Sequence, residues 1–157
     1  MIVLDTDHLS VFRFAESPRS AALRTRLSAA DDTRVVTTII TFEEQLRGWF
    51  AEIKRARSPL DEVIAYSQLM RMIDLFQQWE LLPYDDRAAR EFTRLRSQRI
   101  RIGTKDLKIA SIALTQNALL LSANLGDFRQ VPGLRVEDWT RPPTAQSDRE
   151  SDRRSDN

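Results

Sequence analysis

Four acidic residues far apart in the chain stand where an apolar run ends or a helix begins: Asp5, Glu44, Asp106 and Asp127. Asp5 closes the apolar run Ile2 to Leu4, and Glu44 lies just past a β-branched run, in Thr41-Phe-Glu-Glu-Gln-Leu-Arg-Gly48. Asp106 opens a helical pattern after Gly103, and Asp127 follows the apolar stretch 118–122 in Ser122-Ala-Asn-Leu-Gly-Asp-Phe128. In an open α/β sheet, ligands bind outside the carboxyl ends of the strands, so acids placed in this way converge on one crevice. Clustered carboxylates repel one another and push up their own pKa values unless a cation sits among them, which points to bound magnesium or manganese. Such hard ions take oxygen ligands and keep several waters, and a pair of them stabilises the attacking and leaving oxygens of phosphodiester cleavage. Any one of these acids alone reads as a solvated or capping carboxylate; the constellation carries the expectation.

Composition narrows the chemistry further. The 157 residues contain no cysteine and one histidine, His8. Disulfides, thiolate metal sites, cysteine nucleophiles and multi-histidine zinc sites are therefore excluded, and any metal must be held by oxygen. Lys and Arg number 24 against 23 Asp and Glu, so no global field draws in nucleic acid and basic residues must act locally. Hydrophobic residues make up 41% and charged residues 30%, as in a soluble protein, and no apolar run approaches the roughly 20 residues of a membrane span. The start, Met-Ile-Val-Leu-Asp, carries no basic segment ahead of a long apolar stretch. Residue 1 is therefore expected to begin the fold, with neither secretory signal nor transit peptide and a cytoplasmic address.

The elements that must position the acids follow from periodicity. Residues 2–5 read as a short buried strand, followed by a helix through Leu9, Val11, Phe12 and Phe14, a Ser17-Pro18 stop, and a second helix to about residue 30. Val35 to Thr41 is β-branched throughout and reads as a second strand, with helix over 42–57. Ser58-Pro59 opens a helix whose Leu60, Val63, Ile64, Leu69, Met72, Ile73 and Phe76 are spaced for one apolar face, so the two helices form a hairpin. Leu81 to Tyr84 is a short strand candidate, and Asp85 or Asp86 can cap a helix through Leu95. A helix through Leu107, Ile109 and Ile112, a strand over 118–122 and an edge strand near 134–136 complete the pattern. Strands alternating with helices give an α/β class with a central, mainly parallel twisted sheet. Residues 1–141 form the expected domain. Residues 142–157 hold no apolar side chain larger than alanine and are expected to be a disordered tail.

Leu4-Asp-Thr-Asp7, Ile40-Thr-Phe-Glu-Glu-Gln-Leu-Arg-Gly48, Ile102-Gly-Thr-Lys-Asp-Leu-Lys-Ile-Ala-Ser-Ile-Ala-Leu114 and Ser122-Ala-Asn-Leu-Gly-Asp-Phe128 resemble, in order, the four motifs of PIN-domain ribonucleases. The type resembled is the VapC toxin of type II toxin–antitoxin systems, and the likeness spans residues 2 to about 139. It implies a PIN-like three-layer α/β/α fold with a helical hairpin insertion. It also implies a metal-dependent endoribonuclease in which Asp5, Glu44, Asp106 and Asp127 are catalytic and hold Mg2+ or Mn2+ directly or through water. Water activated by metal is then the nucleophile, with no covalent intermediate. Thr6, Asp7 and Asn124 fall at supporting positions. The implied partners are an RNA substrate (tRNA, rRNA or mRNA), a small cognate antitoxin whose C-terminal segment lies across the active site, and a second copy in a homodimer. No membrane is among them.

The chain departs from the pattern at Asp7, where the family usually has asparagine; Asp7 adds negative charge or caps a helix. Glu43 and Glu44 face differently on a helix, and counting back from Gly48 favours Glu44. Thr6, Ser122 and Asn124 could equally be turn or cap residues. His8 follows the first motif, where it could assist protonation of the leaving group; a lone histidine at a helix start is more often a surface or packing residue, and it is given no role. Arg87, Arg90, Arg94, Arg96, Arg99, Arg101, Lys105 and Lys108 form the densest basic stretch, able to position RNA through phosphates or to be a solvated helix face. Arg47, Lys54, Arg55 and Arg57 form a second, with Trp49 and Phe50 available for base stacking, packing or a dimer interface.

Three other functions share parts of this pattern. A haloacid-dehalogenase-type phosphatase also ends its first strand in Asp-x-Asp, but it needs a Gly-Asp-x-x-x-Asp ending where this chain has Val131 after Gly126-Asp127. An RNA-processing PIN nuclease without an antitoxin keeps the chemistry and changes the role. A catalytically silent RNA-binding PIN fold is opposed by the complete set of four acids.

Overall fold

Ile2, Val3 and Leu4 are apolar on successive rather than alternate residues, the pattern of a strand buried on both faces, and none of the three is more than 2% exposed. The computed structural model describes residues 1–13, 17–31 and 34–141. The expected tail, 142–157, and Phe14 lie outside the described residues.

In chain order the elements are β1 (Ile2–Leu4), α1 (Thr6–Arg13), α2 (Pro18–Ala29), β2 (Val35–Thr38), α3 (Ile39–Arg55), α4 (Pro59–Gln77), β3 (Leu81–Leu82), α5 (Asp86–Ser97), α6 (Thr104–Thr115), β4 (Leu119–Leu121), α7 (Leu125–Phe128) and β5 (Arg135–Glu137). The strands form one five-stranded sheet in the order β3-β2-β1-β4-β5, and every pairing is parallel. Among the described residues no helix is long and apolar enough to cross a membrane.

Alternation along the strands divides the core between the two faces. Ile2, Leu4 and Leu121 pack with Leu9, Leu23, Met72 and Phe76 on one face. Val3, Val36 and Leu120 pack with Leu95, Leu107, Ile109, Ile112 and Phe128 on the other. Helices therefore cover both faces of a parallel sheet, giving the three-layer α/β/α architecture expected.

One local expectation is corrected, and two details are added. β2 ends at Thr38, not Thr41, because the Thr38 hydroxyl accepts the Thr41 N–H at 3.1 Å and caps α3, so Ile39 and Ile40 begin a helix despite their β-branching. Asp127 lies in a short helix, α7, for which the sequence pattern carries no separate expectation. The apolar stripe of α4 is present and only part of it meets the core: Met72 and Phe76 are buried, whereas Leu60, Val63 and Ile64 are 60% exposed or more. The hairpin itself is present, α4 packing back along α3.

Candidate active site

Leu4 is in register with Thr37 on β2 and with Leu121 on β4. The next residues, Asp5, Thr38 and Ser122, therefore sit together at the carboxyl edge of the central strands. Asp5 also starts α1: its carbonyl accepts the Leu9 N–H at 2.9 Å, and its Oδ1 accepts the Thr6 N–H at 2.7 Å. Its other oxygen, Oδ2, accepts the Ser122 hydroxyl at 2.8 Å. Asp5 is 7% exposed, a carboxylate held in the sheet edge rather than in water.

The remaining acids arrive from helices. Glu44, on α3, takes the Thr6 hydroxyl on Oε2 at 2.7 Å, and its Oε1 lies 3.8 Å from Lys105 Nζ. Glu43 faces outward to Arg47, so Glu44 is the member of the pair at the site. Asp106 is in the first turn of α6 and Asp127 in the first turn of α7. One amide joins them: Asn124 Nδ2 donates to Asp106 Oδ2 at 3.1 Å and to Asp127 Oδ2 at 3.0 Å. Asp7 crosses to the end of β4, its Oδ2 accepting the Ala123 N–H at 2.7 Å. That contact corrects the simple helix-cap reading of Asp7.

The charges crowd. Burial, then the neighbouring Asp7 carboxylate, pushes Asp5 up to about 6, against donation from Ser122 and the Thr6 amide. Burial, then Glu44 and Asp127, likewise raises Asp106 above the usual carboxylate range, with Asn124 pulling the other way. Asp106 also adds to the load on Asp5. Five acids thus share one electrostatic neighbourhood, and Lys105 pairs with one of them, Glu44.

Whether this cluster suits a metal turns on its donors. The four carboxylates, the Thr6 and Ser122 hydroxyls and the Asn124 amide oxygen are oxygen donors, the ligand chemistry of Mg2+ or Mn2+ rather than of zinc or copper. The raised carboxylates mark a deficit of positive charge that a divalent ion removes. Among the described residues, no three acidic or imidazole side chains are already gathered as a cage for an ion. Thr6 and Asn124 instead hold the acids in separate hydrogen-bonded groups, and in the Asn124 group Oδ1 of Asp106 and of Asp127 stays outside those bonds. An all-carboxylate set of this kind fits magnesium, which binds through one or two carboxylates and keeps several of its waters.

A family model described as PIN domain matches residues 2–134. The chain belongs to the PIN-domain family. This PIN domain is 27% identical over 144 residues to ribonuclease VapC1 of Haemophilus influenzae, covering 88% of this chain and 98% of that one. It is 26% identical over 137 residues to ribonuclease VapC2 of Rickettsia felis, covering 87% and 96%. Among solved structures it is similar in fold to VapBC-1 from nontypeable Haemophilus influenzae, with a TM-score of 0.69 at 24% identity over 90% of this chain and 100% of that one.

Three residues matter more in this PIN domain than sequence reasoning allowed. Ser122, left undecided, bridges Asp5 and Asp7; its register beside Asp5 was the available signal. Lys105, counted only within a basic stretch, faces Glu44. His8, read as packing or surface, is fully buried against Asp7 and Trp139. Nothing in the sequence pointed to Trp139 as its partner, since 131 residues separate them.

Proposed function

We propose that this PIN domain is a divalent-metal-dependent endoribonuclease that acts in the cytoplasm as the toxin of a VapBC-type toxin–antitoxin module. The observation that carries the reading is the gathering of Asp5, Glu44, Asp106 and Asp127 at one sheet edge, with Asp5 and Asp106 raised by burial and mutual repulsion. The near end-to-end match to two ribonucleases supports the reaction class.

Asp5, Glu44, Asp106 and Asp127 hold Mg2+ or Mn2+ directly or through water. When bound, the ion offsets their charge, activates water and stabilises developing charge on the scissile phosphodiester. Thr6 orients Glu44, Asn124 orients Asp106 and Asp127, and Asp7 and Ser122 orient Asp5. Lys105, one residue before Asp106 and beside Glu44, offers a phosphate contact at the rim. The substrates are RNAs such as tRNA, rRNA or mRNA. A small antitoxin and a second copy of the chain are the protein partners, and the exposed apolar residues of α3 and α4 suit self-association.

Incubating the purified protein with total tRNA and rRNA in Mg2+, in Mn2+ and in chelator tests this. Discrete fragments that appear only with metal are expected. RNA bound but uncut under every condition would replace the enzyme with a binding module.

A further inference from the structure

The chain's one imidazole is fully buried three residues after Asp5, and both of its nitrogens are engaged. The Trp139 backbone N–H donates to His8 Nε2 at 3.1 Å. A ring nitrogen that accepts carries no proton, so the hydrogen of the neutral ring sits on Nδ1. Nδ1 then donates it to Asp7 Oδ1 at 2.8 Å. Asp138 Oδ1 lies 3.4 Å from Nε2, but it already accepts the Thr140 N–H at 2.9 Å and the Thr140 hydroxyl at 2.6 Å, which leaves it little need of a ring hydrogen.

Beyond His8 the contacts continue to the site. Asp7 Oδ2 accepts the Ala123 N–H at 2.7 Å and lies 3.4 Å from the Ser122 hydroxyl, which donates to Asp5 at 2.8 Å. Hydrogen bonds therefore run from the residues after β5, through His8 and Asp7, to the Ala123 N–H, and the adjoining Ser122 hydroxyl carries the contact on to the first carboxylate. Segment 138–140 is itself anchored: Arg26 Nη1 donates to the Asp138 carbonyl at 3.3 Å and Arg19 Nη2 to the Thr140 hydroxyl at 3.2 Å.

We propose that His8 is a positioning residue for RNA cleavage: its Nδ1–H form holds Asp7 on the 122–123 turn, and so keeps the Ser122 hydroxyl on Asp5. The role rests on the ribonuclease reading above. Without the Nδ1 donor, one oxygen of Asp7 loses its partner and the carboxylate is free to turn, loosening the turn that presents Ser122. Outer partners of this kind are commonly worth about 10- to 100-fold in activity or metal affinity.

The test has two parts. Nitrogen-15 NMR of the wild-type protein labelled at histidine reports a single ring; a protonated Nδ1 and a bare Nε2 are expected at neutral pH, and a ring protonated at Nε2 overturns the proposal without reference to activity. The second part measures kcat and KM on RNA for His8→Asn, which keeps a donor near the place of Nδ1, and His8→Gln, whose longer side chain carries its amide to the place of Nε2 and away from that of Nδ1. The Gln variant is expected to lose about 10- to 100-fold in kcat with KM within about twofold, and the Asn variant to recover most of that loss. A Gln variant with wild-type kcat, or equal losses in both variants, overturns the proposal. A wild type that cuts no RNA under any metal condition sinks the ribonuclease reading and the positioning role with it, whereas the wrong tautomer sinks the positioning role alone.

Discussion

The Ser122 hydroxyl donates to Asp5 Oδ2 at 2.8 Å across 117 residues of sequence. Both side chains are buried, so removing the donor leaves a carboxylate oxygen without water to replace it. Ser122→Ala is expected to destabilise the metal-free fold by about 1–3 kcal/mol at pH 7.5. The loss should shrink at pH 4.5, where Asp5 is largely protonated in the fold. Urea unfolding at the two pH values checks this; an equal loss at both would place the effect in packing.

Asp5→Asn should stabilise the metal-free protein at neutral pH while abolishing cleavage. The folded pKa of Asp5, about 6, lies above its ordinary 3.8. The native state therefore holds a proton that the unfolded chain has released between those values, and wild-type stability falls as pH rises through that window. The full difference corresponds to about 3 kcal/mol above pH 6, an upper value because asparagine accepts hydrogen bonds less well. Below about pH 4 the advantage of the variant should vanish. Paired melts of wild type and variant from pH 4 to pH 7.5 measure it; a constant difference across the range would contradict the raised Asp5.

Magnesium should stabilise the wild type and not the Asp106→Asn variant to the same degree. At a metal concentration of about 100 times Kd, binding to the native state alone contributes about 2.7 kcal/mol, a rise in Tm of roughly 5–10 °C for a domain of this size. A calorimetric scan with and without Mg2+ gives the shift. Equal shifts in the two proteins would remove Asp106 from the ion's ligands.

Phe50 on α3 and Leu60, Val63, Ile64, Tyr66 and Met70 on α4 are exposed, more apolar surface on one hairpin than a solitary molecule usually keeps. The wild type is expected to sediment as a dimer at micromolar concentration and Ile64→Glu as a monomer. A wild type that is monomeric at every concentration would leave this face to another partner.

The fold was legible in the sequence wherever both faces of an element carry apolar residues. Ile2 to Leu4, the 119–121 run and the 109–113 helix face announce themselves as core, and Asp5 and Asp106 are positioned simply by standing at the ends of such runs. The match of the chain to the PIN-domain model over residues 2–134 agrees with that expectation. What was not legible depends on single hydrogen bonds. The end of β2 is set by the Thr38 cap, which overrides the strand preference of Ile39 and Ile40. Between Glu43 and Glu44 the count back from Gly48 favours Glu44, and the contacts with Thr6 and Arg47, on opposite sides of α3, agree with it. The burial of His8 needs Trp139 brought over it by β5, a tertiary contact that no local spacing encodes. The apolar stripe of α4 was read correctly as a pattern, but periodicity cannot tell a face that meets the core from one that meets solvent or a partner.

Cleavage of a defined tRNA mixture in Mg2+ by the wild type and five single variants tests the four-carboxylate site most directly. Asp5→Asn, Glu44→Gln, Asp106→Asn and Asp127→Asn are each expected to lose on the order of 100-fold or more in rate, while Glu43→Gln, which loses only its contact with Arg47, keeps wild-type activity. Full activity in any of the four, with the fold intact, or a loss in Glu43→Gln as large as theirs, would contradict the site.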